Sequence, residues 1–213
     1  MKGIHIHMTD VTDTTRESVL ALIRNRRSIG RVTDEVPPRA VIEELLEAAI
    51  WAPNHNMSEP WRFIVLSGDA RNALGRAMAE AETAGVDDPE KAEKARTRAL
   101  AKPLRAPYVI VAISEPQGHN PAIEEHTATA AAIQNLLLAA ETHGLGVMWR
   151  TGGATYAPQV RDLFGVSEEG QIIGFIYIGY PAIEKPTRDR TPIEEITAWW
   201  DSDPAASEQE VQG

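Results

Sequence analysis

Residues 123–153, IEEHTATAAAIQNLLLAAETHGLGVMWRTGG, decide the fold class. Ile123 to His143 reads as one long helix with a polar start at Glu124-Glu125-His126. Its least polar part, Thr127 to Ala140, contains Gln134 and Asn135 and is too short to span a bilayer, so it reads as a buried helix. Gly144 and Gly146 end the helix and lead into a short apolar segment, Val147-Met148-Trp149. The backbone then becomes permissive at Arg150-Thr151-Gly152-Gly153.

Outward from this stretch, strands and helices do not alternate. Arg62 to Leu66, Tyr108 to Ile113 and Gln171 to Tyr180 are apolar, β-branched runs that read as strands. Thr14 and Thr15 can cap a first helix with Val19, Leu20, Leu22 and Ile23 on its apolar face. Pro37-Pro38 opens a second, in which Val41, Ile42, Leu45, Leu46, Ala49 and Ile50 recur at helical spacing until Pro53 closes it. Further helices are expected from about Ala70 to Glu82, from Pro89 to Lys102 and near Pro158 to Phe164. Consecutive helices break any βα alternation, so the expected class is α+β, with a long helix at the centre and no internal repeat.

A chain of 213 residues and 23.3 kDa, with 43% hydrophobic and 24% charged residues, has the balance of one globular domain with a real core. That domain is expected over 14–200, between a mobile N-terminal extension, 1–13, and a disordered acidic tail, 201–213. The formal charge of -10 disfavours nucleic acid or an anionic membrane as partner. With no cysteine, disulfides, thiolate nucleophiles and Cys-ligated metals are excluded, and a cytoplasmic, soluble protein is expected. The N-terminus has no apolar signal core, and His5 and His7 lack a third ligand for a metal.

Three segments can carry chemistry. Arg24-Asn25-Arg26-Arg27-Ser28-Ile29-Gly30-Arg31 places four arginines in eight residues of an acidic chain. Guanidinium groups offer paired donors to phosphate, although a solvated helix C-terminus explains the segment as well. Ala52-Pro53-Asn54-His55-Asn56-Met57-Ser58-Glu59-Pro60-Trp61 is a polar loop rich in amides and fixed by prolines. It can lie along a flat heterocycle or simply connect a helix to a strand. At Trp149-Arg150-Thr151-Gly152-Gly153, glycine permits close backbone approach to a ligand and Arg150 can face an electron-rich edge; a strand end with a half-buried Trp is the plainer alternative. Gly144-Leu145-Gly146 lacks the last glycine of a dinucleotide fingerprint, and it follows a helix instead of a strand. No Walker lysine, Gly-x-Ser-x-Gly elbow or HExxH spacing is present.

Taken in order, Arg26-Arg27-Ser28, Ala52-Pro53 through Pro60-Trp61, the long helix, and Trp149-Arg150-Thr151-Gly152 resemble the FMN-dependent nitroreductase family, and look most like its small bacterial NAD(P)H nitroreductases. The resemblance spans about residues 15 to 200. It implies a nitroreductase-like α+β fold in which a central mixed sheet is flanked by helices. It also implies an intertwined homodimer with the long helix at the interface, where the small side chains of Thr127 to Ala132 permit close approach, and FMN bound where the subunits meet. Arg26, Arg27 and Ser28 would hold the ribityl phosphate and ring edge. His55 would reach the flavin from the other subunit, and Trp149, Arg150 and Thr151 would run beside the ring. Arg188 or Arg190 would add to the phosphate site. Trp51 and Glu59 depart from the arginine and glutamine common in relatives.

The activity so implied is ping-pong, two-electron reduction of nitroaromatics, quinones or related acceptors by NAD(P)H, with no dedicated catalytic acid or base and no metal. A flavin-binding sensor or storage protein with little turnover, and an enoyl-type reductase on the same scaffold, are the alternatives. A binding site for another phosphorylated metabolite in a non-enzymatic dimer would discard the flavin altogether.

Overall fold

Tyr108–Ser114 and Gln171–Gly179 are apolar at almost every position, a pattern that is stable only when both faces of a strand are covered. In the computed structural model, which describes residues 12–201 except His119 and Thr187, these two segments are the inner strands β2 and β4 of a four-stranded sheet. The edges are β1 (Trp61–Ser67) and β3 (Gly146–Arg150), giving the order β1-β2-β4-β3. All three pairings are antiparallel. The sheet is mixed only through a parallel bridge from Ser28 to Val147, which lays the segment after the first helix along the outer edge of β3. His5, His7 and almost all of the expected extension and tail lie outside the described residues.

Helices cover both faces. On one side α2 (Arg39–Ile50) and α5 (Ala122–Thr142) pack Ile42, Leu45, Ile133 and Leu136 onto Ile110, Ile176 and Ile178. On the other, α3 (Arg71–Thr83), α4 (Pro89–Ala101) and α7 (Pro158–Leu163) bring Leu74, Met78 and Val160 to Val109, Val111 and Phe175. The four-residue α6 (Gly153–Tyr156) follows β3 directly. The α+β expectation therefore holds, and the long helix falls within one residue of its expected ends. No helix among the described residues is long and apolar enough to cross a membrane.

The first helix differs from its expected role. α1 (Asp13–Asn25) is capped by the Thr12 side chain, which accepts from the Thr15 N–H, and not by Thr14 or Thr15. None of its residues is buried, so Val19, Leu20 and Ile23 form an apolar face that the other described residues cover only in part.

One polar tie secures the sheet's end. The Glu115 carboxylate accepts from Arg62 Nη2 at 2.5 Å and from Ser167 Oγ at 2.5 Å, while Arg62 also donates to the carbonyls of Phe164 and Gly165 at 3.0 Å. Burial pushes the Glu115 pKa upward, but hydrogen bonds from Arg62 and Ser167 outweigh it and hold the group below its ordinary value. A carboxylate depressed on folding stabilises the protein above its unfolded pKa, about 4.3 for glutamate, and loses that contribution as pH falls through the folded value. Glu115→Gln should thus lower the melting temperature near neutral pH, with the gap to wild type closing below about pH 4. Thermal unfolding across that range is the measurement, and a gap independent of pH would contradict it.

Candidate functional site

A cavity of about 540 Å³ opens beside β3, on the α3/α4 face of the sheet. Strand alternation builds its wall. Met148 and Arg150 point to this face and Val147 and Trp149 to the other, while Phe175 and Tyr177 rise from β4 next door. Lys102 and Arg105, from the turn just before β2, also line it. Gly152, at φ 112° and ψ -168°, takes a backbone conformation open essentially to glycine alone and turns the chain from β3 along the rim.

Arg150 dominates this wall. Its guanidinium sits 5.4 Å from the Tyr177 ring centroid, and its Nε is buried without a hydrogen-bond partner. No carboxylate among the described residues pairs with Arg150 or with Arg105, whereas Lys102 pairs with Glu82, which also takes Arg98 at 3.4 Å. Burial raises the Tyr177 pKa above the ordinary phenol range, against the opposing pull of Arg150 and Arg105, so the hydroxyl stays protonated at neutral pH. Two unpaired guanidinium groups in a chain of charge -10 give the cavity a local positive potential.

The Arg26–Ser28 segment joins this site. Ile29 N–H donates to the Val147 carbonyl at 2.8 Å, and a Cβ added to Gly30 would stand 2.9 Å from Arg150 Nη2. A side chain at that position would push the end of the guanidinium aside. Arg27, however, is largely engaged with backbone. Its Nη1 donates to the carbonyls of Arg24 and Arg26 at 2.6 and 2.9 Å, and its Nε to that of Pro186 at 3.2 Å. It therefore ties the end of α1 to the C-terminal segment, as does Lys185, whose Nζ donates to the Ser28 carbonyl. Arg188 and Arg190 follow immediately and are exposed.

Trp149 lies across the opposite face. Its indole N–H donates to the Ile173 carbonyl at 3.1 Å. Ile173 is the residue left unpaired by a bulge in the β2–β4 register, where Ala112 faces Gly174 but Ile113 faces Ile172. The indole rests on Gly174, where a Cβ would come within 2.1 Å of Nε1. The plainer reading of Trp149, a half-buried strand end, describes its indole, while the residue also lines the cavity. Thr151 is exposed on the rim.

His55 is not part of this cavity within one chain. It stands in a short turn (His55–Met57) after α2 and borders a separate hollow of about 330 Å³ against α5, with Nδ1 3.8 Å from Glu124. Its loop is strained. Asn56, Met57 and Glu59 all have φ between 45° and 54°, a region that Asn tolerates but that costs residues such as Met and Glu about 1–2 kcal/mol each. Ser58 Oγ is buried there without a partner. Trp51 is exposed at the end of α2, away from any core.

Sequence reasoning missed Lys102, Arg105 and Tyr177. Lys102-Pro103-Leu104-Arg105, two cations around a proline turn at the mouth of an apolar strand, was the available signal. Tyr177 offered none beyond its place in a strand.

With this geometry in hand, the sequence pattern of the Nitroreductase family matches residues 23–180, and the chain belongs to that family. It is 31% identical over 175 residues to "Putative NAD(P)H nitroreductase YdjA" of Escherichia coli K12, covering 81% of this chain and 93% of that protein. A nitroreductase-like family protein from Bacillus cereus superposes with a TM-score of 0.77 at 30% identity, over 86% of this chain and 96% of the other. A "putative nitroreductase in complex with FMN" from Desulfovibrio desulfuricans gives 0.64 at 26% identity, over 87% and 98%.

Adding a methyl at Gly174 must displace the indole. Gly174→Ala should cost about 1–3 kcal/mol, the usual penalty for overpacking, and shift Trp fluorescence. Urea unfolding at unchanged m-value is the check; a variant as stable as wild type would show that the indole has room to move.

Proposed function

We propose that the chain is an FMN-dependent NAD(P)H oxidoreductase that acts as a homodimer, with the flavin ring along the Arg150 wall. The observation that carries this reading is Arg150 itself. A buried guanidinium N–H without an acceptor, at the side of a cavity large enough for a planar ring, needs a ligand carbonyl or anion to complete it. The relatives' names and the FMN-containing Desulfovibrio structure support flavin as that ligand.

FMN, when bound, supplies two-electron chemistry between NAD(P)H and an acceptor such as a nitroaromatic or quinone. The chain's residues have defined parts. Arg150 and Arg105 place fixed positive charge where the reduced, anionic ring is favoured over the oxidised one. Arg26 and Ser28, with Arg188 and Arg190 on the segment tied to them, offer donors to the ribityl phosphate. Arg27 contributes by holding that segment against α1. Thr151 and Trp149 border the ring, and His55 of the partner subunit would complete the site from across the interface. No group in the cavity is needed as a dedicated acid or base.

The dimer has support on the surface. Val19, Leu20 and Ile23 of α1 and Ile193, Ile196, Trp199 and Trp200 of the C-terminal segment are exposed. On α5, Thr127, Ala130 and Gln134 leave a low-relief stripe outside the core. A two-fold interface would use the same patches on both copies.

The purified protein should be yellow, release FMN on denaturation, and oxidise NADH or NADPH when given a nitroaromatic or quinone. A colourless protein that refuses added FMN would overturn the reading. Arg150→Met, which keeps bulk and removes charge, should weaken FMN binding about tenfold to a hundredfold, the worth of a charged hydrogen bond. If the charge acts on the reduced ring, the two-electron midpoint potential should fall by about 30–60 mV, with Arg150→Lys restoring part of it. An unchanged potential would remove Arg150 from that part.

A further inference from the structure

The strained loop around His55 is held from outside by a chain of hydrogen bonds that ends on a buried carboxylate. Asn56 Nδ2 donates to Asn120 Oδ1 at 2.8 Å, and Asn120 Nδ2 donates to the His55 carbonyl at 3.2 Å and to Glu125 Oε1 at 2.8 Å. The other oxygen of Glu125 accepts the Gln117 N–H at 2.9 Å. Within the loop, Glu59 N–H donates to Asn54 Oδ1 at 3.0 Å and Ser58 N–H to the His55 carbonyl at 3.1 Å.

Glu125 is 1% exposed and has no cationic partner among the described residues. A carboxylate so placed is costly to bury, even with the α5 N-terminus nearby to favour its charge. Its chemistry explains what it does there. Both of its oxygens accept, one from the Gln117 N–H and the other from Asn120 Nδ2, so the Asn120 amide stands with its NH₂ inward and its oxygen toward Asn56. That orientation is the one that engages the loop at two successive residues, on the His55 main chain and the Asn56 side chain. Two of the three left-handed residues, Asn56 and Met57, lie in the turn so gripped.

We propose that Asn120 and Glu125 are positioning residues that hold the 54–59 loop in its strained form and so present His55 to the flavin of the partner subunit. The proposal rests on the dimeric flavin reading above. Neither residue borders the Arg150 cavity, and they act only through the loop. His126, next along α5, faces Ser114 instead, with Nδ1 3.0 Å from its Oγ, and takes no part in the grip.

The test uses the full chain, wild type and as Asn120→Ala, Glu125→Gln, His55→Ala and the double variant Asn120→Ala with His55→Ala. Hydrogen exchange of residues 52–60 in flavin-free protein reads the loop, and FMN titration reads the site. Asn120→Ala and Glu125→Gln should each accelerate exchange in that segment and weaken FMN binding about threefold to tenfold, the usual range for one lost hydrogen bond. His55→Ala should weaken binding without loosening the loop, and the double variant should bind FMN no worse than His55→Ala alone. Multiplying effects in the double variant, unchanged exchange in Asn120→Ala, or a loosened loop with unaltered FMN affinity would each overturn the proposal. A wild-type protein that takes no FMN would fail the flavin reading first, before any variant is compared.

Discussion

The hydrogen bond from the Trp149 indole to the Ile173 carbonyl sets the register on which the site depends. β3 is an edge strand of five residues, and side chains on a strand alternate between faces, so a slip of one residue would exchange Trp149 and Arg150. The indole cannot move along β4 freely. It needs both a carbonyl that the β2–β4 bulge has released and the bare surface of Gly174. With the indole seated on the α5 face, Arg150 can only enter the cavity on the other side. The residues at 149 and 150 are therefore one device, in which an apolar, hydrogen-bonded anchor aims a charged neighbour.

Keeping that charge in place takes further arrangement. A guanidinium in a partly buried cavity of an acidic protein would ordinarily find a carboxylate, and the chain has 31 of them. Glu82, on the cavity wall, is held by Lys102 and Arg98. The ring of Tyr177 supports Arg150 without neutralising it, since a cation above an aromatic face keeps its charge available to a ligand. Gly30 completes the arrangement by leaving the guanidinium room. The outcome is a positive potential that no sum over the sequence would suggest, because the net charge has the opposite sign.

How much of this was legible in the sequence depended on whether a feature was local. The length of α5, its glycine stop and the apolar runs of β2 and β4 are local patterns, and they read correctly. α1 shows the limit. Its apolar face is plain in the order Val19, Leu20 and Ile23, yet periodicity says only that a face wants cover, not that this chain supplies it. Arg27 shows a second limit. Its position among arginines suggested a phosphate ligand and could not show that the C-terminal segment brings the Pro186 carbonyl to its Nε, a contact from the far end of the chain. Lys102, Arg105 and Tyr177 meet only through the pairing of β2 with β4 and the placing of a turn, which no single segment encodes. The proposed role of Asn120 was hidden for the same reason, since the residues it grips, His55 and Asn56, lie far back in the chain, before β1.

The exposed apolar groups and the split site bear on each other. Trp199 and Trp200 are 82% and 76% exposed, and the segment that carries them is fixed to its own subunit near Ser28 and Arg27, beside the cavity. In the proposed dimer these aromatic side chains, exposed among the described residues, would form the surface of the association, because singly exposed apolar residues are ordinary but a run with Ile193 and Ile196 is not. The same segment carries Arg188 and Arg190. In the proposed dimer, the event that covers Val19, Ile23 and the two tryptophans also settles where those arginines lie and brings the strained His55 loop to a cavity it cannot reach within its own chain. Flavin binding and association would then be linked equilibria, each strengthening the other, and the positive charge at Arg150 would be buried against ligand only once both had occurred.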